Sequence, residues 1–312
     1  MIEVVRYNEK YRVLWDAFVK ASKNGTFLLL RDYMEYHAER FTDHSLLFFK
    51  KDRLIGLMPA NEQGEVLCSH AGLTYGGIVT DARMKSGTML EAFEVMKLYL
   101  QKQGMRRLEY KSIPHIYHRA PAEEDLFALF RCEAKVTRRD LLSVIEPSKA
   151  LGYSKKRRWE VVKSRSRPWH FACSLSFDKY MQIVSELLLI KYNAVPVHTA
   201  EEVRLLANRF PEHIKLFVAS DEEEEIAAGV LIYETATVAH CQYIGYTERG
   251  KVKGALSALI DYLLKEVYPH KLYFDLGASM GQHGLLLNEK LLANKESYGA
   301  RAVVHDFYEL EL

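Results

Sequence analysis

RFTDHSLLF, at residues 40–48, returns in closely similar form as RFPEHIKLF at residues 209–217. After each copy the chain passes through a short polar turn, a second apolar run, another turn and a third apolar run, which predicts three strands joined by tight turns. Because the later features of both halves remain in register with this offset, the sequence indicates a tandem duplication of one structural unit.

The second part of each half is also repeated. An apolar stripe at helical spacing follows the third strand in both halves, formed by Met89, Phe93, Met96 and Leu100 in the first and by Leu256, Ile260, Leu263 and Val267 in the second. Next come the apolar-rich runs RLEYKSI and KLYFDLG, which place Glu109 and Asp275 at matching positions, and then a helix and a last strand.

These elements predict a specific sheet. Short turns between the first three strands imply antiparallel pairing, whereas the helical crossover after the third strand implies a parallel neighbour. A mixed sheet in this order resembles the GNAT acyltransferase fold. We therefore predict an α/β (α+β) protein of two tandem GNAT-like domains, residues 1–150 and 151–312, each a mixed, mostly antiparallel sheet flanked by helices.

Composition supports this prediction without assigning a partner. The 312 residues are 48% hydrophobic, and the net charge of +2 excludes a whole-molecule field that would attract nucleic acid or an anionic membrane. No secretion signal and no membrane-spanning run is evident, and the four cysteines lie far apart. We expect a cytoplasmic protein without integral membrane association, disulfides or a metal site.

A tandem pair of GNAT-like units resembles the FemAB-type aminoacyltransferases over nearly the whole chain. The residues that carry the resemblance are SHAGLTYGG (69–77), YHRAPAEEDLFALF (117–130), PVHTAEEVRLLANRFPEHIKLF (196–217), HCQYIGYTERGK (240–251) and LNEKLLANKESYGARAVVHDFY (287–308). The resemblance implies transfer of an amino acid to the peptide of a peptidoglycan precursor, with aminoacyl-tRNA as the donor and a nucleotide-linked precursor as the acceptor.

The chain departs from the GNAT pattern at the loop that binds coenzyme A. That loop carries two glycines whose backbone amides hold pyrophosphate, whereas here the matching stretches read ERGKVKGAL and DARMKSGTM. The difference weakens acyl-CoA as the donor without excluding it, and it favours an aminoacyltransferase or a non-catalytic binding protein over an acyl-CoA-dependent transferase. In the segment after Asp275 the family continues Gly-Ile-Ser-Thr-Glu, whereas this chain has Gly-Ala-Ser-Met-Gly at 277–281.

The densest run of charge is YSKKRRWEVVKSRSRPWH at 153–170, with seven Lys or Arg residues and one Glu. One interpretation is a solvated segment between domains. The family resemblance implies instead that this segment contacts the diphosphate of the substrate, which suits guanidinium and ammonium groups. We select Arg158 and Lys163 for this role, and the interleaved tryptophans also allow contact with tRNA.

Two histidines and an aspartate are candidates for proton transfer or substrate binding. His70 and His240 occupy matching positions that we predict to lie in the third strand of each half, where a histidine bonded to the backbone is the alternative. Asp275 ends a predicted parallel strand, at the edge of an open sheet where ligands bind, although an aspartate there also caps turns. We select Asp275 as a catalytic residue that accepts the proton of the attacking amine.

Five polar residues complete the predicted site. Lys295 is selected as catalytic, with Asn288 and Tyr298 beside it on the helix of the family-like segment 287–308; a surface position is the alternative for Lys295. Tyr75 and Tyr243, in the third-strand regions, are selected as ligand contacts, with packing on the sheet as the alternative. Amides near Tyr243 to Gly245 are expected to hold the oxyanion.

The sequence therefore predicts an acyl- or aminoacyltransferase that acts on an amine of a cell-envelope precursor. An acyl-CoA-dependent N-acyltransferase that acts on a sugar or lipid-linked amine is the first alternative. A GNAT-like protein that binds a ligand without catalysis is the second.

Overall fold

The computed structural model describes residues 1–149, 151–281 and 284–312. Helices and large mixed sheets both contribute to it, so the predicted α/β class is confirmed. The chain forms two compact units. Unit 1 comprises Met1–Leu141, a short segment that ends at Leu286, and Val304–Leu312, whereas unit 2 comprises Leu142–Gly281 and Leu287–Val303.

Unit 1 carries the first copy of the repeat. Its elements, in chain order, are β1 (Ile2–Arg6), α1 (Arg12–Ala21), α2 (Arg31–Met34), β2 (Thr42–Asp43), β3 (Leu46–Lys50), β4 (Arg53–Met58), β5 (Asn61–Gln63), β6 (Val66–Cys68), β7 (Val79–Thr80), α3 (Ser86–Lys102), β8 (Arg107–Lys111), α4 (Glu124–Arg131) and the first part of β9 (Lys135–Ile145).

The strands of unit 1 form two sheets. One has the order β1-β3-β4-β7, and in the other β2, β5, β6 and β8 are neighbours, with β6 parallel to β8 as the crossover predicts. The predicted stripe of α3 packs into the core, because Met89, Phe93, Met96 and Leu100 are all buried there. Burial of that apolar face stabilises the helix on the sheet.

His70 lies outside the strand in which it was predicted. The strand ends at Cys68, and His70 follows it with a φ of 53°. This left-handed backbone conformation is incompatible with an extended strand. The side chain is 3% exposed and packs against the rings of His37 and Phe41.

Unit 2 carries the second copy. Its elements are α5 (Lys155–Arg165), β10 (His170–Ser174), α6 (Phe177–Tyr192), α7 (Ala200–Arg209), β11 (Ile214–Ser220), β12 (Ile226–Glu234), β13 (Val238–Tyr246), α8 (Glu248–Lys253), α9 (Ala255–Tyr262), β14 (Tyr273–Ala278), β15 (Met280–Gly281), β16 (Leu286–Leu287), which begins at the last residue of unit 1, α10 (Glu289–Glu296) and the start of β17 (Arg301–Glu311), which belongs to unit 1 from Val304 onward.

The sheet of unit 2 has the order β10-β11-β12-β13-β14, with the end of β9 beside β14. The first four strands are antiparallel, and β13 and β14 are parallel. Phe274 on β14 and Leu259 on α9 are fully buried in the core that joins sheet and helix.

The parallel pairing of β13 and β14 is short. It includes Val238 with Tyr273, Ala239 with Phe274 and His240 with Asp275, and no further pair joins these strands in the described part of the chain. Beyond this point β14 continues along β9, where Ala278 faces Leu142. The two strands therefore separate after His240 and Asp275, and beyond this point β13 remains paired with β12 but not with β14 in the described residues.

The buried side chain of Tyr180 contacts a bulge between β12 and β13. The register between β12 and β13 shifts between Leu231 and Ile232, and the Tyr180 hydroxyl from α6 lies at this bulge, 3.0 Å from the Gly229 carbonyl oxygen and 2.9 Å from that of Tyr243. Bulges of this kind redirect a strand and commonly lie beside functional sites.

The predicted domain boundary falls at Ala150, which lies outside the described residues. Contacts divide the chain at Leu141 and Leu142, inside β9, and assign Val304–Leu312 to unit 1. The reason is strand pairing, since Phe307–Glu311 of β17 pairs with β8 whereas Ile145 of β9 pairs with Phe274. No helix of the described residues has the length and apolar character needed to cross a membrane.

We expect Tyr180→Phe to lower the free energy of unfolding by about 2 kcal/mol, because removal of the hydroxyl leaves buried backbone groups of β12 and β13 without a partner. Chemical denaturation monitored by circular dichroism measures this change. Tyr192→Phe is the matched control, since Tyr192 lies on the same helix and is 50% exposed. Equal stability of the two variants would contradict the role of Tyr180.

Candidate functional site

An apolar pocket of about 370 Å³ lies where β13 and β14 separate. Its walls come from α6, from β13 and β14, and from the helices α9 and α10. The lining residues are Val184, Leu187, Leu188, Lys191, Tyr192, Cys241, Gln242, Tyr243, Ile244, Tyr246, Leu256, Ile260, Leu276, Leu291, Asn294, Lys295 and Tyr298.

Asp275 supplies the buried negative charge beside this pocket. Its side chain has no exposed surface, its Oδ2 lies 2.8 Å from His240 Nδ1, and its Oδ1 accepts a hydrogen bond of 2.7 Å from the Gly277 amide. Burial tends to raise the pKa of Asp275, but His240, the Gly277 amide and Lys295 together hold that pKa below its usual value. The carboxyl group is therefore ionised at neutral pH.

Lys295 projects from α10 to the end of β14. Its Nζ donates to the carbonyl oxygens of Gly277, at 2.9 Å, and Ala278, at 2.7 Å. Gly277 has a φ of 77°, a left-handed conformation that favours glycine. The lysine is 8% exposed, and burial lowers its pKa to about 8, although the charge of Asp275 opposes this shift.

The hydrogen bonds of Lys295 make it suitable for proton transfer. A neutral amine has two N–H groups and one lone pair, so the two carbonyl oxygens use both donors and leave the lone pair free. A protonated amine instead has a third N–H to offer. With a pKa of about 8, Lys295 is neutral in about a tenth of the protein molecules at pH 7.

Cys241 lines the same pocket but is poorly suited to be a nucleophile. Burial, together with the charge of Asp275, raises the pKa of its thiol well above the usual range. Because the thiolate is the reactive form of cysteine, the neutral thiol at this position serves as an apolar wall.

A second, basic pocket of about 330 Å³ adjoins the apolar pocket. Lys163, Arg167 and Lys253 line it, and none of the three has an ion-pair partner in the described part of the chain. Gly254 also lines it and marks the N-terminal end of α9, where the helix dipole favours an anion. The arrangement suits a phosphate group.

The two pockets share part of their lining. Tyr246, Leu256, Asn294 and Tyr298 belong to both. Tyr298 is held in place by Arg157, whose guanidinium lies 4.1 Å from the ring centroid and donates to Ser257 Oγ at 2.7 Å. A ligand that extends from one pocket to the other therefore passes beside a fixed aromatic ring.

The structure brings several of the predicted residues together. Asp275, His240 and Lys295 form one cluster, while Tyr243 and Tyr298 line the apolar pocket that Lys295 also lines. The Tyr243 hydroxyl is hydrogen-bonded to His198, at 2.9 Å from Nδ1.

The basic segment divides between two pockets. Lys163 lies in the basic pocket, with its Nζ 4.9 Å from the centre of the Trp159 ring. Arg158 instead lines a different pocket, of about 380 Å³, with Tyr153 and Lys265. Successive helical residues point about 100° apart, so neighbouring cations of α5 cannot all face one ligand.

Three predicted residues lie away from the cluster. Asn288 caps α10, where its side-chain oxygen accepts a hydrogen bond of 3.0 Å from the Leu291 amide. His70 and Tyr75 lie in unit 1, 3% and 1% exposed, and the Tyr75 hydroxyl is 2.9 Å from Thr26 Oγ1. A ligand role for any of them stays a prediction.

Sequence reasoning missed Cys241, Arg167, Lys253 and Tyr246. For Arg167 a signal was present, because it belongs to the basic run. No local sequence pattern marks Cys241, Tyr246 or Lys253. They line the pockets because β13 separates from β14 and because α9 packs beside β13.

No protein-family model and no curated protein matches the chain. Several solved structures are similar to it. FemX superposes with a TM-score of 0.68 at 10% identity and covers 99% of this chain and 97% of its own. L-PGS from Bacillus licheniformis superposes with a TM-score of 0.61 at 14% identity, covering 98% and 92%.

A third similar structure is the C-terminal domain of a putative lysylphosphatidylglycerol synthetase from Agrobacterium fabrum. Its TM-score is 0.58 at 12% identity, and the match covers 97% of this chain and 92% of that one. At such identities the similarity establishes the fold alone. The chain has the FemAB/GNAT-like acyltransferase fold, as the repeat predicted.

We expect Asp275→Asn to lower the pKa of Lys295 below about 8, because the carboxylate charge partly opposes the effect of burial. A pH titration of the lysine Nζ by NMR, with selectively labelled lysine, measures the change. Asp178→Asn, at a 64% exposed carboxylate on α6, is the control and leaves the Lys295 pKa unchanged. If the Lys295 pKa were equal in wild type and Asp275→Asn, the electrostatic coupling would be refuted.

Proposed function

We propose that this protein transfers an acyl or aminoacyl group from a phosphate-bearing donor to an amine. The observation that carries the proposal is that the basic and apolar pockets share Tyr246 and Tyr298 in their linings, with Lys295 in the apolar pocket. A donor of this class has a phosphate portion and a reactive carbonyl group, and the two pockets suit these parts.

The phosphate portion of the donor is assigned to Lys163, Arg167 and Lys253. Each is a cation that lines the basic pocket, and the N-terminal end of α9 adds its dipole. Aminoacyl-tRNA and acyl-CoA both carry such phosphates. The sequence lacks the two-glycine coenzyme loop, which favours aminoacyl-tRNA.

Lys295 is proposed as the general base. The acceptor amine attacks the donor carbonyl carbon, and its proton passes to the lone pair of neutral Lys295 Nζ. A tetrahedral intermediate forms and then collapses to the new amide, while the bond to the leaving oxygen or sulfur breaks. Protonated Lys295 returns the proton to that leaving group, so the enzyme ends the cycle unchanged.

Two further groups support this step. Amides of the part of β13 that is no longer paired with β14, near Tyr243 to Gly245, are proposed to stabilise the negative charge on the carbonyl oxygen. Asp275 has no exposed surface, so its proposed role is to position His240 and to tune Lys295, in place of the direct proton acceptance expected from the sequence.

An amine of a cell-envelope precursor is proposed as the acceptor. The FemAB-type resemblance implies the peptide of a nucleotide-linked precursor, and the lipid product named for the Agrobacterium fabrum neighbour makes a lipid-linked acceptor the second choice. An N-acyltransferase that uses acyl-CoA and a binding protein without catalysis remain the alternatives, and the assay below distinguishes the aminoacyl-tRNA donor from the acyl-CoA donor.

We expect Lys295→Met to reduce kcat at least 100-fold, which is the lower range of a general-base contribution. The assay offers aminoacyl-tRNA or acetyl-CoA as the donor and a UDP-linked muramyl peptide as the acceptor, with the product detected by mass spectrometry. Lys290→Met, an exposed position on the same helix, is the control and retains wild-type kcat. Turnover with neither donor contradicts transfer to this acceptor, whereas full activity of Lys295→Met contradicts the base.

The pH profile tests the same role independently. Because only neutral Lys295 accepts a proton, kcat rises with pH up to the lysine pKa of about 8 and levels off above it. Wild-type rates between pH 6 and pH 9.5 measure this curve. A kcat that falls across the same range would exclude Lys295 as the base.

We expect Lys163→Ala combined with Arg167→Ala to raise the KM for the donor at least tenfold, because each loses a charge-assisted contact to phosphate. The salt dependence of KM also becomes weaker, since fewer charges attract the donor. Lys179→Ala, at an exposed position on α6, is the matched control. An unchanged KM would place the donor phosphate elsewhere.

A further inference from the structure

Aliphatic side chains form much of the wall of the apolar pocket. Val184, Leu187 and Leu188 come from α6, Ile244 from β13, Leu276 from β14 and Leu291 from α10. A cavity of about 150 Å³ already accommodates a benzene ring, so the volume of about 370 Å³ holds a branched aliphatic or aromatic group with room for the reacting carbonyl.

The charges at this pocket are all of one sign. Lys191 and Lys295 are the charged residues among the described lining, and no Asp or Glu belongs to that set. Lys191 contacts the hydroxyl of Tyr246 and lies 4.5 Å from the centre of its ring. Asp275, the nearest acidic group to Lys295 in the cluster, is fully buried and bonded to His240.

We infer that the apolar pocket selects an uncharged apolar group and rejects a cationic one. A cationic side chain placed there meets two ammonium groups and finds no lining carboxylate, so it loses its hydration without gaining a counter-charge. An apolar side chain of similar length buries its methylene groups against the aliphatic residues of the lining.

In the proposed reaction this group is the side chain of the transferred residue, and to that extent the inference rests on the proposed function. It predicts a donor that carries a leucyl, norleucyl or phenylalanyl-like group, and it disfavours lysyl and arginyl donors. Lysyl and arginyl groups are disfavoured because burial of an unpaired charge removes its hydration without compensation.

The test uses two phosphate-free probes that differ mainly in an ammonium group, N-acetyl-norleucinamide and N-acetyl-lysinamide. Their affinities for the full chain are measured by ligand-observed NMR, without any need for turnover. We expect the norleucine probe to bind at least tenfold more tightly. Equal or tighter binding of the lysine probe, or binding of neither probe, would overturn the inference.

A charge placed in the wall sharpens the test. Leu187→Asp introduces a carboxylate at a half-buried lining position, and we expect it to weaken the norleucine probe and to strengthen the lysine probe at least tenfold. Leu189→Asp, two residues later at a 58% exposed position, is the matched control and leaves both affinities unchanged. Circular dichroism verifies that both variants are folded.

The transfer assay then separates the two claims. With norleucyl- and lysyl-loaded donors, preferential transfer of norleucine supports both. If the norleucine probe binds selectively but neither donor reacts, the selectivity of the pocket holds and the proposed transfer is contradicted. Transfer of lysine at an equal rate contradicts the selectivity while leaving the transfer reaction intact.

Discussion

The buried cluster of Asp275, His240 and Lys295 is the interaction on which the site depends. An ionised carboxylate without exposed surface is costly unless charges and donors surround it, and here His240, the Gly277 amide and Lys295 provide them. Because Lys295 also bonds to the carbonyl oxygens of Gly277 and Ala278, the cluster joins α10 to the end of β14 at the point where β14 leaves β13.

The separation of β13 and β14 opens a pocket beside this cluster. If β13 and β14 remained paired, the backbone of β13 beyond His240 would be satisfied by its neighbour and covered. Because they separate, an apolar pocket forms between them and meets the basic pocket beside Tyr298. The same geometric event therefore accounts for the polar backbone, the apolar wall and the access to cations that the proposed transfer requires.

The sequence predicted the fold well because periodicity and repetition are encoded locally. The apolar stripe from Met89 to Leu100 indicates a helix. The repeat of RFTDHSLLF indicates a duplicated unit, and neither pattern depends on knowing which distant segments pack together. Asp275 and Lys295 could be selected for similar reasons. Pocket walls depend on contacts between distant segments, so the sequence around Lys253 did not indicate that this residue lines the basic pocket. Arg158 lines a different pocket from its neighbour Arg157, because successive residues of a helix point in different directions.

The response of backbone amides to the donor is the most direct test of the proposed site, measured by NMR on the labelled protein during titration with coenzyme A and with a 3′-aminoacylamino-3′-deoxyadenosine 5′-phosphate. We expect the ligand that binds to shift the amides of Tyr243–Gly245 and Gly277 as binding saturates. Saturable binding that leaves these amides unmoved would contradict the claim that the separation of β13 and β14 forms the donor site.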